Sequence, residues 1–265
     1  MDTASNSADV APTNRYTRYT ALLAALAGLM FGLDVGVISG AQQFLQREFA
    51  IGDRMLEHVV SSMMIGAAIG AALAAWLSVH FGRKRSLLIS AMLFVAGSLA
   101  SAAAWSPQAL IGARLVLGLA IGIAAFTAPL YLAEIAPEEK RGAMISTYQL
   151  MITIGIFVAF LSDTAFSYSG RWRWMLGIIA LPGAAFLLGV LGLPESPRWL
   201  VLKGRHDDAD GVLRRLRGDA AVARAEVEQI EERLRTPQQG WHLLLENRNF
   251  RRSVGLGLAL QVVQQ

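Results

Sequence analysis

Apolar residues fall into six long runs, near 17–40, 58–80, 86–105, 108–133, 143–166 and 173–194. A hydrocarbon core of about 30 Å takes about 20 apolar residues of helix. The pattern therefore predicts six membrane helices within 17–194, preceded by a polar tail over 1–16. Their connections are short. A stretch with Arg47, Glu48, Asp53, Arg54 and Glu57 separates the first two runs, and Gly82-Arg83-Lys84-Arg85 turns the second into the third. Trp105-Ser106-Pro107 joins the third and fourth, Lys140 and Arg141 follow the fourth, and Arg171 and Arg173 precede the sixth. After Pro194 the pattern changes. Residues 195–249 are charge-rich with helical periodicity (Val212, Leu213 and Leu216, then Val222, Ile230 and Leu234), and Glu231 and Arg235 stand at i, i+4. This predicts two or three amphipathic helices forming a linker. Residues 250–265 turn apolar again but are too few to span, so they read as the truncated start of a seventh helix.

Composition agrees with the runs: 54% hydrophobic and 17% charged residues, with a mean hydropathy of +0.43. Soluble domains average about 25% charged residues. A soluble enzyme domain and a disordered chain are excluded. The pI of about 9.8 does not indicate nucleic acid, because the basic residues sit between apolar spans and net charge is only +4. Arg15, Arg18, Arg83, Lys84, Arg85, Lys140, Arg141, Arg198, Lys203 and Arg205 fall on one side, against Arg47, Arg54, Arg171 and Arg173 on the other. The basic side of a membrane protein faces the cytoplasm, which places the N-terminus and the linker there. Residues 1–14 lack the basic cluster and apolar core of a cleavable signal. No cysteine is present, and the four histidines (58, 80, 206 and 242) have no metal-ligand spacing, so neither a metal site nor thiol chemistry is expected.

Within the spans, Gly28, Gly32, Gly36 and Gly40 form a four-residue repeat, with shorter echoes at Gly66 and Gly70 and at Gly118 and Gly122. Such seams let helix backbones approach closely. Asp34 points about 200° away from Gly32 around the helix, off that seam. A charge at membrane depth costs at least about 2.5–3.5 kcal/mol. Asp34 and Arg114 read as the one acid and one permanent base in the spans, and hence as a pair: either a structural ion pair or a site in which Asp34 exchanges a proton and releases Arg114. Phe31, Asp34 and Ser39 are expected to line a face that packing leaves free. Ser146, Gln149 and Thr153 share one face of the fifth run, and Gln261, Gln264 and Gln265 cluster near the end. Buried amides donate and accept, which suits a polyhydroxylated ligand. The segments FGRKR, AEIAPEEKRG and LPESPRWL carry more charge than packing requires. Arg83, Glu134, Arg141, Glu195 and Arg198 are expected to latch helix ends on the inner face, a bistable element of the kind alternating access uses. No nucleophile–base pair or metal cluster appears in the spans, so no enzyme is expected.

AGLMFGLDVGVISGA, FGRKRSLL, TAPLYLAEIAP, YQLMITIGI, LSDTAFSYSGRWRWMLG, LPESPRWL and the closing QVVQQ together resemble the N-terminal half of a major facilitator superfamily sugar porter, of the bacterial arabinose–proton and galactose–proton symporter type. The resemblance runs from about Leu22 to the C-terminus. It implies an all-α integral membrane protein with the major facilitator fold: a six-helix bundle built as an inverted 3+3 repeat, a cytoplasmic helical linker over 195–249, and the start of helix seven at 250–265. By position it implies that Asp34 and Arg114 couple the proton, and that Phe31, Gln149, Gln264 and Gln265 touch the sugar. Arg83, Arg85, Glu134, Arg141, Glu195 and Arg198 match its cytoplasmic gating network. The implied activity is import of a pentose or hexose (arabinose, galactose or a similar aldose) with a proton, without other cofactor, by a monomer in the bacterial inner membrane. The alternatives are a facilitative uniporter and a non-transporting sugar receptor. Lacking the further helices that complete the sugar pocket, the chain by itself is expected not to transport.

Overall fold

The computed structural model describes residues 15–168, 170–235, 248–249 and 251–256. Gln261, Gln264 and Gln265 lie outside the described residues, as do residues 1–14. The described chain is all helix and turn: α1 (Arg15–Phe49), α2 (Asp53–His80), α3 (Arg83–Ala102), α4 (Pro107–Ile135) and α5 (Glu138–Ser167) are followed by α6 (Trp172–Ile178) and α7 (Ala180–Leu191). Then come the shorter α8 (Pro197–Leu202), α9 (His206–Arg217) and α10 (Ala220–Arg235). Among the described residues, six spans are long and apolar enough to cross a membrane, the sixth being α6 and α7 together (Trp172–Leu191).

Local chemistry sets several boundaries. Ser106 caps α4 by accepting from the Ala109 N–H at 3.1 Å, with Pro107 at the first helical position. The sixth span breaks at Ile179 because Pro182 has no N–H to return to the Ile178 carbonyl. The stretch between the first two apolar runs is not a separate element: α1 continues to Phe49, because Val37, Ala41 and Leu45 repeat at helical spacing and are fully buried.

The glycine seams decide which helices pair. A Cβ at Gly28 or Gly32 would run into the backbone of Tyr148 or Ile152, so α1 lies directly against α5. Gly66 and Gly70 meet Leu115 and Leu119 across the α2–α4 contact, while Gly118 and Gly122 meet Met63 and Ala67 from the other side. Under a 3+3 inverted repeat, the α1–α5 pair maps onto α4–α2. The two tightest seams are thus one interface used twice.

Large apolar side chains on the rim, such as Met64, Leu73, Leu150 and Leu161, are exposed as a lipid-facing surface requires. Trp105, Tyr168 and Trp174 are exposed together at the end where α3 joins α4 and α5 joins α6, the aromatic belt of a membrane interface. At the opposite end, α8–α10 form a small helical layer. Leu213 and Leu216 are buried as the periodicity predicts, but the buried stripe of α10 runs through Ala223 and Val227. Val222, one residue and about 100° off that stripe, is exposed. Glu231 pairs with His206 at 2.6 Å. Arg217 anchors the layer to the bundle: it grips Glu226 with two bonds of 2.7 Å and donates to the Ile135 carbonyl at the C-terminus of α4 at 3.0 Å.

Candidate functional site

Asp34 and Arg114 meet in the middle of the bundle, where α1 crosses α4. Both side chains are 0% exposed. The guanidinium faces the carboxylate end-on, Nη1 to Oδ1 at 3.4 Å and Nη2 to Oδ2 at 3.2 Å. Charge-assisted bonds ordinarily close to about 2.7–2.9 Å, so this pair is loose. The third donor of Arg114, Nε, is buried without a hydrogen-bond partner. A fully dehydrated pair held beyond normal contact is easily exchanged for another arrangement, because little hydrogen bonding is lost when it parts. The expected open face around it is not found. Asp34 is enclosed against Arg114 of α4, Phe31 is half-buried, and Ser39 alone of the three is exposed.

Phe31 borders a gap of about 10 Å³ with Met30, Ser90, Phe94, Ile121 and Tyr148, room for about one water and not for a ligand. Gln149 follows Tyr148 on α5 and is exposed, as are Ser146 and Thr153. None of the three forms a side-chain hydrogen bond among the described residues. They make a polar strip on a bundle surface that is otherwise largely apolar.

At the end of the bundle that carries α8–α10, Arg83 sits at the start of α3 and forks onto Glu134 near the end of α4: Nε to Oε2 at 2.8 Å and Nη2 to Oε1 at 2.6 Å. A third bond joins Arg83 Nη1 to the Ser78 carbonyl at 3.0 Å. Ser196 Oγ donates to Glu134 Oε2 at 2.6 Å and caps α8. Glu195 serves differently from the expectation. Among the described residues it pairs with no guanidinium and instead accepts the backbone N–H groups of Arg83 at 2.8 Å, Lys84 at 3.0 Å and Ser196 at 3.0 Å. It thereby supplies the negative cap that Gly82 cannot provide for α3. Gly82 has φ +93°, and a Cβ there would strike the Glu195 carboxylate. Arg85 and Arg198 are exposed, and the Nε of Arg141 has no hydrogen-bond partner. Among the described residues, these three form no ion pair. The network therefore centres on Arg83, Glu134, Glu195 and Ser196.

Two features escaped the sequence reading. Asp163, near the end of α5, is a second buried acid within a candidate span, 5% exposed, so Asp34 is not the only one in the spans. Its signal is a lone Asp in LSDTAFS, inside the fifth apolar run. At the aromatic-belt end, Glu48 at the end of α1 takes Arg173 at 2.5 Å and the indole N–H of Trp172, while Arg173 also donates to the Ala104 carbonyl at 3.2 Å. That cluster ties α1, α6 and the α3–α4 turn together.

The Sugar (and other) transporter family matches residues 20–265. The chain belongs to the sugar transporter family. Among curated relatives it is 59% identical to the galactose–proton symporter of Escherichia coli K12 over 249 residues, which is 94% of this chain and 54% of that protein. It is 56% identical to the arabinose–proton symporter of the same strain over 253 residues, 96% of this chain and 54% of that one. The proton:xylose symporter XylE, solved with 6-bromo-6-deoxy-D-glucose, superposes with a TM-score of 0.81 at 29% identity, covering 87% of this chain and 56% of XylE. This member of the family thus has the major facilitator fold and spans about half the length of the curated relatives it matches. It is a multi-pass membrane protein.

Proposed function

We propose that this sugar transporter sequence serves proton-coupled import of a monosaccharide, an aldopentose or aldohexose such as arabinose or galactose, across the bacterial inner membrane. The Asp34–Arg114 pair carries the reading. An Arg and an Asp buried to 0% with bonds of 3.2–3.4 Å form a two-state element. Protonation removes the carboxylate charge and frees Arg114, and loss of the proton re-forms the pair. Coupling follows if only one of the two arrangements is compatible with the inward-rocked bundle. The names of the relatives, symporters of galactose, arabinose and xylose with protons, support the substrate class.

In this reading the end carrying Arg83, Glu134, Glu195 and α8–α10 is cytoplasmic, as the charge asymmetry predicts, and the Trp105–Tyr168–Trp174 belt is periplasmic. Phe31 and Gln149, with Gln264 and Gln265, supply one wall of the sugar site. Gln149 is the best placed of the described ones, exposed with its amide unpaired. The Arg83–Glu134 fork, with Glu195 and Ser196, forms the inner latch joining α3, α4 and the α7–α8 turn. Arg85, Arg141 and Arg198 remain available to pair when that latch rearranges.

The test is external pH in de-energised cells expressing the complete transporter that carries this sequence. Addition of arabinose or galactose should alkalinise the medium, and Asp34→Asn should abolish the signal. Labelled sugar entering with no pH change would make the protein a uniporter and the buried pair a structural one.

A further inference from the structure

When Asp34 takes a proton, Arg114 loses its ionised partner inside a dry bundle. An unpartnered guanidinium there carries its full desolvation cost, so the pair opens readily only if a second acceptor is at hand. The Nε of Arg114 is buried without a hydrogen-bond partner among the described residues, and so is the Oγ of Ser101, in the last turn of α3. Serines inside a helix commonly turn the hydroxyl back to the carbonyl four residues earlier. On α3, Ser86 does so to Gly82 at 2.7 Å and Ser98 to Phe94 at 2.8 Å. Ser90 and Ser101 do not. Ser90 borders the small gap beside Phe31, which leaves Ser101 to be explained.

The register of α3 on α4 places Ser101 level with Arg114. The two helices run antiparallel across a short turn, and a Cβ on Gly97 would come within 3.0 Å of the Leu117 backbone. Ser101 is four residues beyond Gly97, about 6 Å along α3, and Arg114 is three residues before Leu117, about 4.5 Å along α4 in the same direction. Their Cα atoms therefore stand at heights within about 2 Å of each other. Ser101 is rotated about 40° from Gly97 and Arg114 about 60° from Leu117, and in antiparallel helices these two rotations turn to the same side. Ser90 and Ile121 lie on that side too and share a gap with Phe31, so α1 covers it. A donor and an acceptor, both buried and both idle, thus occupy one level on one side of the α3–α4 contact.

No other charge is placed to receive Arg114. Among the described residues Arg114 is the only charge acting on Asp34. The charges of α3 sit in its first turn, and Glu134 of α4 is taken by Arg83 at that same end. Asp163 of α5 packs on Gly40, six residues or about 9 Å further out along α1 than Asp34. Arg173 of α6 is held by Glu48.

We infer that Ser101 is the alternative acceptor for Arg114: when Asp34 is protonated, the guanidinium leaves the carboxyl and its Nε–H is taken by Ser101 Oγ. Ser101 is then a positioning residue that sets how readily the pair opens. This deepens the proton-coupling reading above and rests on it. The complete transporter that carries this sequence gives two readouts. In nanodiscs, Ser101→Ala in the parent removes an idle buried hydroxyl and should leave the melting temperature unchanged or raise it. With Asp34→Asn, a neutral mimic of the protonated acid, Arg114 depends on Ser101, and adding Ser101→Ala should lower the melting temperature by about 2–5 °C. In proteoliposomes with D-galactose or L-arabinose, Ser101→Ala should move the external pH of half-maximal proton-driven uptake down by about one to two units, the worth of one hydrogen bond to a charged group. The shift is downward because the Ser101 bond favours the protonated arrangement, and without it a higher proton concentration is needed to reach that arrangement. A hydroxyl that only packs would change melting equally in both backgrounds and leave the pH profile in place, and either result overturns the role of Ser101. Failure of the transport reading shows separately, as sugar entry with no pH change, and the thermal comparison still decides whether Ser101 takes Arg114.

Discussion

Removing one partner from the central ion pair should cost far more than removing both. Arg114 and Asp34 are 0% exposed, and Arg114 already has one buried donor without a partner. Asp34→Asn leaves a guanidinium in a dry interior facing a neutral amide. Breaking a buried pair from one side costs about 3–5 kcal/mol, whereas replacing both partners by neutral residues of similar size is often close to neutral. At about 2–4 °C per kcal/mol for a domain of this size, Asp34→Asn should lower the melting temperature by roughly 6–20 °C. Asp34→Asn combined with Arg114→Met should recover most of that loss, giving a coupling energy of at least about 2 kcal/mol in the double-mutant cycle. Thermal unfolding of the four proteins in nanodiscs, followed by circular dichroism, measures the cycle. The bonds of 3.2–3.4 Å keep the net value of the pair small, which is why the double variant is expected near the parent and not well below it. Asp34→Asn melting with the parent, or single-variant losses that simply add in the double, would refute the reasoning.

Other parts of the bundle carry their own expectations. Glu195→Ala strips three backbone N–H groups of their acceptor, and should cost about 1–3 kcal/mol; hydrogen exchange at the Arg83 and Lys84 amides should rise selectively. Gly82→Ala should be destabilising by a similar amount, from φ +93° and the overlap with Glu195 together, and its melting temperature should fall accordingly. Gly32→Leu should abolish a monodisperse, folded product in size-exclusion chromatography, because its side chain meets the Ile152 backbone, which cannot move aside; Gly52→Ala, with nothing within 4 Å, should be silent in the same assay. Arg217→Ala releases both Glu226 and the Ile135 carbonyl, so limited proteolysis should cut α8–α10 faster while the six-span bundle stays protected.

Much of this protein follows from one-dimensional pattern. The six spans are legible because a bilayer demands about 20 apolar residues per crossing, whatever the helix packs against. The seam residues Gly28, Gly32, Gly36 and Gly40 are legible for a related reason: only a backbone that must be touched at every turn keeps glycine at every fourth position. Asp34 and Arg114 stood out because charge is scarce at membrane depth, and the helix order brings them together.

What sequence left open depends on rotation and partner, which need three dimensions. That Glu195 holds amide groups, while Arg83 goes to Glu134, turns on where the α7–α8 turn sits over the start of α3. Nothing in the spacing of the three charged segments distinguishes an acid that pairs with a side chain from one that caps a helix. Val222 and Ala223 differ by one residue, and the packing of α10 against α8 and α9 selects Ala223 for the inside. That Asp163 is buried against the Gly40 backbone of α1 is not visible in the fifth run alone, because burial is a property of the neighbour as much as of the residue. Hydrophobic pattern specifies which segments leave water; the packing of one helix on another decides which of their polar atoms are satisfied, and which are left to act.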